Sequence, residues 1–191
     1  MDVVIASNNQ NKIREYKEML EPIGFNCLSL KDVSFNEEII EDGSTFKENS
    51  YIKAKTVFDF CHLPVIADDS GISVDALGGA PGIYSQRYSK EGKDKPNRDK
   101  LMSEIKSLGL TEAEAHFTCA ITYIDKDKVI QKEGYFFGTV KLVERGNNGF
   151  GYDPIFYPLG KDYSVAELSD ELKNKISHRH NALELLIEEL K

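Results

Sequence analysis

Cysteine is scarce in this chain: Cys27, Cys61 and Cys119 are the three thiols in 191 residues. An odd count, at spacings that match no metal-binding pattern, argues against a disulfide framework and fits a reduced cytoplasm. Basic charge is also short. Lys and Arg total 24 against 32 Asp and Glu, a net charge of −8, which argues against a surface built to coat nucleic acid. No apolar run approaches the roughly 20 residues needed to span a bilayer, so no membrane partner is expected. The N-terminus has no basic segment followed by a long apolar one, so no signal peptide is expected. Repeats and low-complexity tracts are missing too. What is present, 40% hydrophobic and 29% charged residues, describes an ordinary globular protein able to bury a sizeable core. Residues 1–191 read as a single domain, with a lobed insertion as the alternative.

Hydrophobic patterning alternates between strand and helix. Val3 to Ala6 reads as a short buried strand, followed by a polar turn and an amphipathic helix ending near Pro22 and Gly24. Phe25 to Leu30 reads as a second strand. Thr45 and Glu48 make a capping-box signature for a helix running to about Cys61. Leu63 to Ala67 is a third strand. Ser89 to Arg98, polar and carrying Gly92 and Pro96, reads as a surface loop, and Asp99 to Leu108 as a helix. His116–Tyr123 and Val129–Val143 are rich in aromatic and β-branched residues and predict antiparallel strands turning at Asp125 to Lys128. An amphipathic helix from about Ser177 to Leu190 closes the chain. The class is α/β, with a mixed central sheet flanked by helices.

The segment richest in chemistry is Val65-Ile66-Ala67-Asp68-Asp69-Ser70-Gly71, an apolar strand emptying into two adjacent carboxylates. In α/β proteins the C-terminal edge of the sheet is where ligands bind. Adjacent carboxylates repel unless a cation, a proton or a basic partner neutralises them. Hard oxygen ligands suit Mg²⁺, which binds through one or two carboxylates plus substrate phosphates.

Four further constellations carry candidate chemistry. Ser7-Asn8-Asn9-Gln10-Asn11-Lys12 lies between the first strand and the first helix, where helix N–H groups and Lys12 attract anions. It lacks the glycines of a Walker sequence, and a plain N-cap is the alternative. Glu37 to Gly43 is a dense acidic loop whose carboxylates either favour the positive helix end or, at Glu41, join the Asp68–Asp69 pair around a cation. Gly146 to Pro154 combines glycines with Phe150 and Tyr152, flat faces suited to stacking on a base, and Asp153, an acceptor for sugar or base; a hairpin loop is the alternative. Finally, Lys173 and Ser177-His178-Arg179-His180 place cations near a helix start, against the macrodipole, which suggests a ligand or carboxylate nearby.

Taken in order, Ser7-x-Asn9-x-x-Lys12, Thr45-Phe46-x-Glu48-Asn49, Ala67-Asp68-Asp69-Ser70-Gly71, Gly79-Ala80-Pro81-Gly82-x-Tyr84-Ser85-x-Arg87-Tyr88, Gly149-Phe150-Gly151-Tyr152-Asp153-Pro154, and Lys173 with Ile176-Ser177-His178-Arg179 form one pattern. With these motifs the chain resembles, over essentially its whole length, the inosine triphosphate pyrophosphatase family. Gln86 and Ser50 stand where that family usually has alanine. The resemblance implies hydrolysis of non-standard purine nucleoside triphosphates to monophosphate and pyrophosphate, by a homodimer of elongated α/β subunits with a cleft between two lobes. It implies that Ser7, Asn9 and Lys12 hold the triphosphate. Asp69 becomes the general base or metal-bound carboxylate, with Glu41 and Asp68 helping to hold Mg²⁺. Ser70 contacts substrate beside the metal, Phe150 stacks on the purine, and Gly151, Tyr152 and Asp153 shape the base and sugar pocket. Lys173, His178 and Arg179 reach the base edge or phosphates.

Selectivity then follows from hydrogen bonding. Hypoxanthine and xanthine present an acceptor at position 6, which Arg179 or backbone N–H groups would read, whereas adenine would leave such donors unpaired. Two other classes stay open on the residues: a Mg²⁺ phosphohydrolase releasing orthophosphate, and a nucleotide-binding module without turnover. The adjacent Asp68–Asp69 lacks the Asp-x-Asp spacing of aspartyl-phosphate phosphatases, which weighs against the first.

Overall fold

The structure, a computed structural model, describes residues 1–191. Strands β1 (Asp2–Ile5), β2 (Asn26–Leu28), β3 (Val65–Val74), β4 (Glu112–Ile124), β5 (Val129–Lys141) and β6 (Phe156–Pro158) hydrogen-bond in the order β2-β1-β3-β4-β5-β6. β1 is parallel to both β2 and β3, with Val3 opposite Cys27 and Ile5 opposite Ile66. β5 and β6 are antiparallel, with Thr139 opposite Tyr157. The sheet is mixed. Helices α1 (Gln10–Leu20), α2 (Phe46–Cys61), α3 (Asp94–Ser107), α4 (Asp170–Lys173) and α5 (His178–Leu190) complete the fold. None is long and apolar enough to cross a membrane.

The chain forms two compact units. The first comprises Met1–Asp69, Cys119–Gly134 and Arg179–Lys191; the second comprises Ser70–Thr118 and Tyr135–His178. Each has its own core. In the first unit strand alternation sorts side chains to two faces. Val3, Ile5, Ile66 and Ile121 pack against Ile13, Tyr16 and Leu20 of α1 and Ala182, Leu183 and Leu186 of α5. Val4, Ala6, Val65 and Ala67 pack against Ala54 and Val57 of α2. In the second unit Ile72, Val74, Phe117, Val140 and Phe156 pack against Leu101 and Ile105 of α3.

Local signals placed several ends correctly. Asn9 caps α1, its side-chain oxygen accepting from the N–H groups of Asn11 and Lys12 at 3.0 and 3.4 Å. Thr45 caps α2 through the Glu48 N–H at 3.1 Å. The expected reciprocal bond is shifted by one residue, since Glu48 accepts from the N–H of Ser44 instead. Asp125 closes the β4–β5 turn by accepting from the N–H groups of Asp127 and Lys128.

Four expectations need correction. β3 does not stop at Ala67 but continues to Val74, because Ile72 and Val74 find a second core to enter. The acidic pair therefore lies inside a strand rather than beyond its end. α3 starts at Asp94, within the stretch read as a loop; Pro96 sits in its first turn, where a missing N–H costs nothing. β4 begins at Glu112 because burial of Ala113 and Ala115 overrides the helical preference of Glu-Ala-Glu-Ala. Lys173 ends the short α4 rather than opening the last helix, which begins at His178.

Candidate active site

Because β3 alternates, Asp68 and Asp69 look out of opposite faces of the first unit's sheet and acquire different partners. Asp68 shares its face with Ile66, toward α1 and α5. Its Oδ2 accepts from Lys12 Nζ at 3.0 Å, from Arg179 Nη2 at 3.2 Å and from the Cys119 thiol at 3.7 Å. Arg179 also donates to Glu15 through Nη1. All four charged groups are sealed in: Lys12 is 5% exposed, Glu15 4%, Asp68 2% and Arg179 1%. Burial opposes the charge on Asp68, but Lys12, then Arg179 and Lys53, outweigh it and hold the carboxyl far below the usual range. Asp68 is ionised at any working pH.

Asp69 shares its face with Ala67, toward α2. Its Oδ2 accepts from Asn49 Nδ2 at 3.0 Å, while Asn49 Oδ1 accepts from the Gly43 N–H at 2.9 Å. Asn49 thus ties the acidic loop to the strand. A side chain at Gly43 would bring its first carbon to 2.7 Å from both Asn49 Oδ1 and Glu48 Cβ, so glycine permits this close approach. Lys53, one turn along α2, donates to Glu41 at 3.0 Å. Burial raises the Asp69 carboxyl above its ordinary value; Lys53, Lys12 and the Asn49 bond oppose that rise, and Glu41 adds to it. Two neighbouring aspartates are therefore driven apart, one locked as an anion and the other made a better proton acceptor.

Around this strand Lys12, Lys53 and Arg179 face Asp68, Asp69, Glu41 and Glu15, so carboxylates outnumber cations by one. The donor chemistry suits a hard divalent ion: Glu41 and Asp69 offer two carboxylates within electrostatic reach of each other. No group of three or more His, Cys, Asp or Glu is placed to hold a metal, so an ion held by Glu41 and Asp69 would take its remaining ligands from outside these side chains. Asp68 fits the metal role less well than expected, because Lys12 and Arg179 already occupy its oxygen. Ser7 and Asn9 stand at the start of α1. Ser7 Oγ accepts from the Asn9 N–H at 3.1 Å, so the cap and the anion-attracting turn are one structure.

The second unit gathers a different set. Asp153, 4% exposed, accepts through Oδ2 from Lys173 Nζ at 2.8 Å and from the Phe150 N–H at 3.0 Å. The Lys173 ammonium also stands 4.3 Å from the centre of the Phe150 ring, a cation–π contact that fixes the ring's orientation. Gly149 adopts φ +71°, and any side chain there would meet Asp153 Oδ2 at 2.1 Å. Tyr152 is buried and donates its hydroxyl to the Ser85 carbonyl at 2.6 Å, so it braces the site rather than offering an open face. His178 stacks on Phe117, with centroids 4.8 Å apart and planes 12° from parallel. Ser70, half-buried, is the first residue of this unit along β3.

The expected residues thus divide between the units. Ser7, Asn9, Lys12, Glu41, Asp68, Asp69 and Arg179 belong to the first; Ser70, Phe150, Gly151, Tyr152, Asp153, Lys173 and His178 belong to the second. Sequence reasoning missed Glu15, Lys53 and Cys119 as members of this cluster, and gave Asn49 no role beyond its place in a motif. A signal existed for two of them: Glu15 lies between Ile13 and Tyr16, and Lys53 beside Ala54, so each is a charge next to a core-facing helical stripe.

The sequence model of the Ham1 family matches residues 3–189. A Bacillus subtilis (strain 168) protein named dITP/XTP pyrophosphatase is 46% identical over 187 residues, covering 97% of this chain and 94% of its own length. A Sulfurimonas denitrificans protein of the same name is 43% identical, covering 97% and 96%. Among solved structures, the Staphylococcus aureus Ham1 protein superposes with a TM-score of 0.87 at 38% identity, covering 100% of both chains. A HAM1 protein from Coxiella burnetii gives 0.89 at 36% identity, covering 100% of this chain and 98% of its own.

Proposed function

The chain belongs to the Ham1 family, and from that premise we propose that it hydrolyses inosine, deoxyinosine and xanthosine triphosphates to the monophosphate and pyrophosphate. The observation that carries the chemistry is the split environment of Asp68 and Asp69: Lys12 and Arg179 hold the first, while Asn49 holds the second beside Glu41 and Lys53. A water-activating base must be ionised yet hold a proton well, and Asp69, raised by burial, suits that task better than an ordinary carboxylate. Asp68 is assigned to positioning. It holds Lys12 at the start of α1, where the buried positive charge and the helix N–H groups attract phosphate oxygens. Lys53 brings a second ammonium beside Glu41 and Asp69. Glu41 and Asp69 are the residues that would hold Mg²⁺, which supplies charge neutralisation and polarisation at the phosphates.

In the second unit Phe150 stacks on the purine, with Lys173 and Asp153 fixing the ring. Ser70 contacts substrate beside the acidic pair, while Gly151, Tyr152 and Asp153 shape the pocket wall. Lys173 and His178 are the side-chain donors for an acceptor at position 6 of the base. Arg179 is reassigned from base reading, since it is 1% exposed and both its terminal nitrogens hold carboxylates. Three free cysteines suit a reduced cytoplasm, and a homodimer completes the reading by family resemblance.

Steady-state kinetics on a nucleotide panel with Mg²⁺ tests this reading. The expected result is kcat/KM at least ~100-fold higher for deoxyinosine and xanthosine triphosphates than for deoxyadenosine triphosphate, from buried donors left unpaired. Equal rates on all purines would remove the base-reading role. A further expectation concerns Phe150→Ala: loss of stacking should raise KM for deoxyinosine triphosphate by about tenfold or more, with kcat retained. A fall in kcat at constant KM would place Phe150 elsewhere in the reaction.

A further inference from the structure

We propose that Asp94 and Arg98, in the first turns of α3, are positioning residues that set purine affinity by clamping the two peptides that flank Gly151 in the base-stacking loop. The inference rests on the functional reading above, in that Phe150 is the stacking residue, and it concerns residues that lie outside the recognised motifs. Asp94 Oδ2 accepts from the Gly151 N–H at 2.9 Å. Four residues on, Arg98 Nη1 donates to the Gly151 carbonyl at 2.8 Å. One helical turn therefore grips both polar groups of the residue that follows Phe150. Arg98 is itself held: its Nε donates to Glu144 Oε1 at 3.1 Å, and its side chain is only 12% exposed.

The need for such a clamp follows from the backbone. Gly146, Gly149 and Gly151 all have positive φ, so this loop is built from residues with the widest conformational freedom and the largest entropy to lose. Nothing lies within 4 Å of where a Gly151 side chain would start, so this glycine serves the backbone turn rather than close packing. Asp153 already holds the Phe150 N–H from within the loop. Asp94 and Arg98 add an anchor from a separate helix, one residue further along the chain. A ring held before substrate arrives loses less freedom on stacking, which appears as affinity rather than as rate.

The test uses the full-length protein with Asp94→Ala, Arg98→Ala and Asp94→Asn. Asparagine keeps an acceptor oxygen for the Gly151 N–H. Each alanine variant is expected to raise KM for deoxyinosine triphosphate roughly tenfold, the loss of one charge-assisted hydrogen bond, with kcat within about twofold. Asp94→Asn should stay near wild type. Inhibition by inorganic triphosphate, which has no base to stack, should be unchanged in all three. Hydrogen–deuterium exchange over residues 146–153 gives a readout free of turnover: it should quicken in both alanine variants and not in Asp94→Asn. An unchanged KM and unchanged exchange in the alanine variants would overturn the clamp, as would an Asp94→Asn variant as defective as Asp94→Ala. If the wild type hydrolyses no nucleotide, the functional reading fails separately, and unaltered exchange would still overturn the clamp.

Discussion

Replacing Asp69 by asparagine lowers kcat by about a thousandfold, the scale of a lost general base, while the protein gains rather than loses stability near neutral pH. The two effects share one cause. Burial, with a contribution from Glu41, makes the ionised Asp69 costly to the folded state, against the pull of Lys53 and Lys12. A carboxyl raised in the native state binds its proton more tightly there than in the unfolded chain. Its contribution to stability is full below the unfolded pKa and is lost as pH rises through the folded one. Asparagine keeps an acceptor for Asn49 and removes the charge. Its Tm should exceed that of wild type at about pH 7, and the difference should shrink as pH falls and vanish below the ordinary carboxylate value, where Asp69 is protonated in both states. A variant that loses activity together with stability would instead make Asp69 a structural residue.

Arg179→Ala behaves in the opposite way. It removes the shared partner of two buried carboxylates, Asp68 and Glu15, and leaves only Lys12 and the Cys119 thiol on the Asp68 oxygen. Breaking a buried pair by deleting one member costs about 3–5 kcal/mol, a fall in Tm of roughly 10–15 °C for a protein of this size. Acid sensitivity should change with it. Asp68 is held far below the usual carboxylate range because Lys12, Arg179 and Lys53 outweigh burial. Its stabilisation is fully present above the unfolded pKa and is lost as pH falls below it. With Arg179 gone, acid unfolding should therefore begin at a higher pH. The ratio of kcat/KM between deoxyinosine and deoxyguanosine triphosphates should survive in the remaining folded protein. An unchanged Tm with that ratio collapsed would return Arg179 to the base edge.

The contrast between these aspartates shows where the sequence was legible. Caps at Asn9 and Thr45 and the Asp125 turn are local, decided by side chains bonding their own backbone, and each was readable without neighbours. The α/β class and mixed sheet followed from hydrophobic periodicity. The continuation of β3 to Val74 was not legible, because Ser70-Gly71 punctuates the pattern and the core that receives Ile72 and Val74 comes from distant segments. β6, with three residues, and α4, with four, are too short for any period to register. The candidate site residues were named by motif, but the partners of each were not. Only strand alternation, combined with α1 and α5 on one face and α2 on the other, sends Asp68 to Lys12 and Arg179 and Asp69 to Asn49. For Arg179 the sequence left a ligand and a nearby carboxylate both open, because its carboxylate partners are 164 and 111 residues away in sequence.

The most direct measurement follows the phosphorus itself. Purified protein, Mg²⁺ and deoxyinosine triphosphate, observed by ³¹P NMR, should yield pyrophosphate and deoxyinosine monophosphate in equal amounts, and neither product at a comparable rate from the Asp69→Asn variant. Orthophosphate with the nucleoside diphosphate, or undiminished pyrophosphate release from Asp69→Asn, would contradict a pyrophosphatase that works through the raised carboxylate of β3.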